Sequence, residues 1–310
     1  MGKKGNLFAL SLITALTGAG FAAGNKLYQR AVVPKARKED EPDHSEYITE
    51  GRRFVREHPA HQDLYLEAID LLKLHAVYIE AEKADSHRYV ILVHGYNDNC
   101  ESMGIYARHY GAQGYHLLLP DLRGYGKSEG TYVGFGLDDR MDLIEWIYWI
   151  LRRDADAQII LHGVSMGAAA VLMTAGEHLP PAVKAVISDS AYSDLRDEFA
   201  HVLASDKDNV LPFPLAYTLL RAQTKARAGY DMNEVSPVSA VSRAEVPILF
   251  LHGEADRLIP ATMATRLYEE TASRKKLITF LGADHIRGIV TDPQKYWEQV
   301  DAFLKDAGVR

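Results

Sequence analysis

The chain has 310 residues, with 35 Lys+Arg against 42 Asp+Glu, a formal net charge of −7 and 47% hydrophobic residues. This is enough for one large domain or two small ones, and the composition excludes disorder, collagen-like sequence and a multi-pass membrane protein. The single cysteine, Cys100, excludes an intrachain disulfide and a cysteine-rich zinc site.

The charge is unevenly distributed. Before Glu39 there is no acidic residue, whereas Lys3, Lys4, Lys26, Arg30, Lys35, Arg37 and Lys38 are basic. The remainder is therefore more acidic than the total suggests. That argues against nucleic acid as a partner, because phosphate binding needs clustered Lys and Arg.

Residues 5–25 carry no charge, and residues 7–23 are mostly apolar. As a helix this run spans about 30 Å, roughly the hydrocarbon thickness of a bilayer. Residues 1–30 are therefore expected to be a hydrophobic anchor or signal segment. Lys3 and Lys4 resemble the basic start of a signal, and Gly18-Ala19-Gly20 and Ala22-Ala23-Gly24 offer small residues to a signal peptidase. A run longer than the usual signal core favours an uncleaved single-pass anchor over a cleaved, secreted form. The expected location is the cell membrane. The flanking charges point to opposite sides of it, two lysines before the run and five basic residues after it by Lys38.

Residues 31–46 are rich in Pro, Lys and Glu and are expected to form a linker, followed by the main domain over residues 47–310. The spacing predicts a helix over 51–58 and two strands over 64–68 and 73–80. From residue 88 short apolar runs alternate with longer helical segments, predicting strands at 89–93, 116–119, 158–161, 183–188, 248–251 and 277–280. Nearly continuous apolar strands separated by helices indicate a parallel sheet covered on both faces. A final helix is expected from Pro293 to about Lys305. Residues 190–246 contain helical pieces but no convincing strand, and are expected to form a helical cap over the C-terminal edge of the sheet.

The chemistry centres on Gly163-Val164-Ser165-Met166-Gly167, between an apolar strand and the helix opened by Ala168-Ala169-Ala170. A sharp strand-to-helix turn lifts the serine oxygen above the sheet edge, and flanking glycines keep side chains out of the crowded turn. A serine hydroxyl needs a base. Of 13 histidines, His285 lies in the loop after the last strand, whereas His94, His162 and His252 each precede a glycine at a strand end, where a structural role is expected. The acid that orients the base is expected to be Asp256, with Asp189, one strand earlier, as the competitor. Two backbone N–H groups, of Met166 and Tyr96, are expected to receive the oxyanion of a tetrahedral intermediate.

His94-Gly95-Tyr96, Asp121-Leu122-Arg123-Gly124-Tyr125-Gly126-Lys127-Ser128, the Gly163–Gly167 turn, His252-Gly253-Glu254-Ala255-Asp256 and Asp284-His285 follow one another in this order. In this the chain resembles the α/β-hydrolase superfamily from about residue 64 onward, and within it bacterial serine esterases and prolyl-oligopeptidase-like proteins that often carry an N-terminal membrane segment. The resemblance implies an eight-stranded, mostly parallel sheet with antiparallel first strands, and Ser165, Asp256 and His285 as a triad. Leu71-Leu72 departs from the Asp-Gly common in relatives at the first turn. Serine at the elbow argues against dehalogenase or epoxide-hydrolase chemistry, where relatives use aspartate.

Other motifs are declined. Gly126-Lys127-Ser128 lacks the glycine a phosphate loop needs where Asp121 stands, and Gly124, Gly126 and Gly130 miss the dinucleotide spacing. His58 and His61 have no third metal ligand near them in sequence, and Trp146, Tyr148 and Trp149 suit packing. No metal or cofactor is expected. The expected activity is cleavage of a small carboxylic ester through an acyl-enzyme. A peptidase or thioesterase of the same fold is the alternative, and a catalytically silent membrane-tethered binding protein is the alternative of another class. The cap residues Tyr192, Phe213 and Tyr217 suggest a partly apolar acyl pocket.

Overall fold

The computed structural model describes residues 20–35, 46–83, 85–207 and 211–309. Residues 20–31 are helical (α1). Next come α2 (Glu46–Glu57), β1 (His61–Glu67), β2 (Lys73–Ile79) and β3 (Arg88–Val93). Strands and helices then alternate through α3 (Gly104–Ala112), β4 (His116–Pro120), α4 (Asp139–Arg153), β5 (Gln158–Val164), α5 (Met166–Ala175) and β6 (Val183–Asp189). The expected insertion holds α6 (Leu195–Ser205), α7 (Phe213–Arg227) and α8 (Pro237–Val241). The chain closes with β7 (Ile248–Gly253), α9 (Ala261–Glu270), β8 (Lys275–Phe280), α10 (Gly288–Thr291) and α11 (Pro293–Asp306).

The eight strands form one sheet in the order β1-β2-β4-β3-β5-β6-β7-β8. β2 runs antiparallel to both β1 and β4, and every later pairing is parallel. Side chains alternate across a strand, so each central strand feeds two cores. Tyr89, Ile91 and Val93 of β3 and Ile159 and Leu161 of β5 enter the core shared with α4 and α5. Val90, Leu92 and Ile160 enter the other, shared with α3 and α11. Burial on both faces explains why these strands read as continuous apolar runs.

Three boundaries differ from expectation by three residues or more. β5 continues through His162 and Gly163 because its end pairs with Ile187–Asp189 of β6, which outweighs the glycine. β1 starts at His61, whose polar neighbours Gln62 and Asp63 are held by backbone pairing to Tyr78 and Val77. α2 begins at Glu46, inside the stretch assigned to the linker, with that acidic residue in its first turn.

The largest difference lies at the N-terminus. Residues 20–35, divided by the sequence between leader and linker, pack onto the domain. Tyr28 and Val32 are buried in the core shared with α4 and α5, and the Val133 N–H donates to the Val32 carbonyl at 2.7 Å. Gly24 lets α1 approach the Leu219 carbonyl of α7, where an added Cβ would stand 3.0 Å away. The apolar run lies mostly in residues 1–19, outside the described residues. Among the described residues no helix is long and apolar enough to cross a membrane.

Candidate active site

Ser165 occupies the turn between β5 and α5 with φ 54° and ψ −119°, a backbone conformation L-residues seldom adopt. The flanking glycines are steric requirements. A Cβ on Gly163 would collide with the Gly167 carbonyl, and one on Gly167 with the carbonyls of Val93 and His94. The Ser165 N–H donates to the Asp189 carbonyl at 2.8 Å, which pins the strained residue to the end of β6.

The structure brings three predicted side chains into one hydrogen-bonded chain. His285 Nε2 lies 2.9 Å from Ser165 Oγ, and His285 Nδ1 lies 2.7 Å from Asp256 Oδ2. Asp256 Oδ1 accepts from the N–H groups of Leu258 and Ile259 at 2.9 and 2.8 Å. Burial alone would raise the Asp256 carboxyl, but hydrogen bonds from His252 and His285 overcome it and hold the group well below the usual carboxylate range. An anionic acceptor on Nδ1–H leaves the Nε2 lone pair facing the serine, the tautomer that can take its proton. Ile286, with φ 51°, donates its N–H to Ser190 Oγ at 3.3 Å and so ties the histidine loop to the end of β6.

Asp189, the competing acid, makes its hydrogen bonds with groups other than His285. Its carboxylate receives Tyr296 OH and Ser190 Oγ, each at 2.9 Å, and lies fully inside the protein beneath the serine turn. Burial raises its carboxyl. The other three histidines serve as struts. His94 accepts the Leu122 N–H and donates to Gly95 O, joining the loops after β3 and β4. His162, pushed down to about 3 by burial, bridges Tyr110 and Tyr296. His252 donates to Ile259 O at 2.8 Å and lies 3.3 Å from the Asp256 carboxylate.

Ser165 opens into a cavity of about 270 Å³ that Met166 and Tyr96 also line. Gly95 brings the loop after β3 against the serine, since a Cβ on it would stand 3.4 Å from that of Ser165. Met166 is the first residue of α5, so its N–H has no acceptor within the helix. The walls are apolar. α6 contributes Leu195, Phe199 and Val202, and the loop after β7 contributes Leu258 and Ile259. Leu27 and Ala31 of α1 complete the lining, and Tyr96 OH donates to the Ala31 carbonyl at 3.0 Å. Of the cap residues named from sequence, Tyr192 lines the cavity. Phe213 and Tyr217 instead pack on one another and, through Tyr217, against Phe199.

Gly124, Gly126 and Gly130, read from sequence as shaping the loop at the C-terminal edge of the sheet, all have positive φ, whereas the work of the Asp121 and Arg123 side chains was not read. Asp121 accepts the N–H groups of Cys100 and Lys127 and faces His75 Nδ1 at 2.7 Å, while Arg123 bonds Asp142 and Asp70. A Cβ on Gly126, at φ 53°, would strike the Asp121 carboxylate. These contacts brace the loops behind the Gly95–Tyr96 turn. Also missed were α1 as a cavity wall and Glu198, a carboxyl of α6 that lines the cavity. An acidic residue among apolar ones at helical spacing was the only signal for it. His58 and His61 hold their own turn, His61 Nδ1 donating to Val55 O at 2.7 Å. Among the described residues two clusters, His75–Cys100–Asp121 and His87–Asp154–Asp156, bring metal-ligating atoms together, and in the first both histidine nitrogens face carboxylates.

Comparison with known proteins agrees with this architecture. A family model described as alpha/beta hydrolase fold matches residues 89–218. The chain is 28% identical to the uncharacterized protein YqkD of Bacillus subtilis over 225 residues, covering 71% of this chain and 72% of that one. It is also 28% identical to the uncharacterized protein YfhR of Escherichia coli (strain K12) over 178 residues, 56% of this chain, and spans 54% of that protein's length. Among solved structures, the esterase Pf2001 of Pyrococcus furiosus superposes with a TM-score of 0.66 at 22% identity, covering 89% of this chain and 98% of that one. The chain has the α/β-hydrolase fold.

Proposed function

We propose that this protein is a serine hydrolase that cleaves carboxylic esters through an acyl-enzyme. The observation that carries the reading is the hydrogen-bonded chain Ser165–His285–Asp256 at the floor of an apolar cavity. His285 takes the Ser165 proton as Oγ attacks the acyl carbon, and the negative oxygen that forms is held by the N–H groups of Met166 and Tyr96. Collapse of this intermediate breaks the acyl–oxygen bond, and His285 returns the proton to the departing alcohol. Water, deprotonated by His285, then attacks the acyl-enzyme, releasing the carboxylic acid and restoring Ser165. The chemistry draws only on side chains, backbone amides and water.

A fluorophosphonate probe should label the protein at Ser165, and Ser165→Ala should abolish both labelling and cleavage of p-nitrophenyl esters. Labelling that persists in the variant would place the nucleophile elsewhere. Turnover of thioesters or peptides in preference to esters would overturn the ester assignment. The reading includes attachment to the cell membrane through the apolar run of residues 7–23. Release of the full chain into the soluble fraction by alkaline carbonate would overturn that part.

A further inference from the structure

Glu198 lies on α6 and lines the same cavity as Ser165. Its Oε2 is buried and meets no hydrogen-bond donor among the described residues. The cavity's other charged side chains, Arg30 and Asp206, bond to each other at 2.7 Å. Burial first, and then the negative charge of Asp256, push the Glu198 carboxyl up to about 8. A buried polar group left without a partner is unfavourable, so packing does not account for it. The ester chemistry does not use it either, since base, orienting acid and oxyanion donors all lie elsewhere in the site.

We propose that Glu198 is a specificity-determining residue whose carboxyl receives a hydrogen bond from a donor group, a hydroxyl or an ammonium, on the substrate chain lodged in the cavity. The proposal rests on the serine hydrolase reading above. Apolar walls suit a hydrocarbon chain, and the unfilled acceptor suits one donor along it. Charge narrows the choice further. With Asp256 ionised nearby and Arg30 already paired, an anionic tip is repelled, whereas a neutral or cationic donor is accepted. A site that offers a buried hydrogen-bonding group discriminates against analogues that cannot use it.

The test compares p-nitrophenyl esters from butanoyl to octanoyl, each with a plain, an ω-hydroxy or an ω-amino acyl chain, on the full-length protein. At the chain length that reaches Glu198, a donor-tipped ester should exceed the plain one by about tenfold in kcat/KM, the worth of one net hydrogen bond. Glu198→Leu should abolish that preference. Glu198→Gln, close in shape, should keep the hydroxy preference and lose the amino one. A hydroxyl source predicts a preference independent of pH, and an ammonium source one that grows as pH rises through 8 and Glu198 ionises. Ser165-dependent turnover with equal kcat/KM for all three tips would overturn the proposal, as would a preference surviving in Glu198→Leu. Absence of any Ser165-dependent turnover would overturn the hydrolase reading as well.

Discussion

Asp256 and Asp189 are chemically identical side chains at the ends of adjacent strands, and their surroundings give them opposite characters. Asp256 is buried but receives two backbone N–H groups and the imidazole of His285, so it is held as an anion. Asp189 is buried against phenol and hydroxyl donors and takes its hydrogen bonds from them, not from His285. Asp256→Asn should therefore lower kcat by about 10³–10⁴, because the amide no longer selects the imidazole tautomer that accepts the serine proton. Asp189→Asn should act mainly on stability, and ester kinetics beside urea unfolding separate the two. A larger kcat loss for Asp189→Asn would reassign the acid. Because the Asp256 carboxyl is depressed in the folded chain, its stabilisation is present at neutral pH and is lost only as pH falls below the ordinary carboxylate range.

Glu198 shows the reverse sign. Its unfolded-state carboxyl releases a proton near 4.5, whereas the folded one holds it to about 8. Across that window the unfolded chain binds fewer protons than the folded one, so rising pH favours unfolding. Glu198→Gln removes this term. The variant should gain Tm relative to the native protein at pH 8 and gain little at pH 5. Equal differences at the two pH values would show that Glu198 titrates normally.

At the scale of elements, the fold is explained by strands that bury both faces and by turns whose residues tolerate unusual backbone. Asn97, Ser165, Ser190 and Ile286 all have positive φ and follow the C-terminal ends of parallel strands, the edge of the sheet at which Ser165 opens into the cavity. Leu71 also has positive φ, 68°, in the β1–β2 turn, which lies at the same edge beside the loop after β4, where Arg123 bonds Asp70. Its side chain is 73% exposed, so it contributes little packing to offset the strain. Leu71→Gly should raise stability by about 1 kcal/mol in urea unfolding. Destabilisation would mean that the leucine makes a compensating contact. The strands were legible because apolar alternation is a local property. The end of β5 was not, since its last residues are held by β6, a partner in another part of the chain.

For the whole molecule, residues 20–35 of the N-terminal segment are structural. Tyr28 and Val32 lie in the main core, Leu27 and Ala31 line the cavity, and Tyr96 is fastened to the Ala31 carbonyl. Deleting residues 1–34 should lower stability by roughly 3–6 kcal/mol, from burial of those two core side chains. It should also depress ester turnover by removing a wall beside Ser165. A truncated chain of undiminished stability and activity would show α1 to be dispensable. Its role escaped sequence reading because the apolar run of residues 7–23 draws the start of α1 into the leader, while the end of α1 runs into the Pro-rich stretch assigned to the linker.

By itself, the sequence determined the alternating strands and helices, the strand–turn–helix around Ser165, and the chain order of serine, acids and histidine. Those features follow from side-chain periodicity and from the sterics of a few adjacent residues, which act over short stretches of chain. Only the tertiary structure decided that Asp256 and not Asp189 bonds His285, that α1 lines the cavity, and that Glu198 Oε2 is buried there with no hydrogen-bond partner among the described residues. Each of these depends on where loops and helices distant in the chain aim their side chains. Burial and hydrogen bonding then set the charge that each group holds.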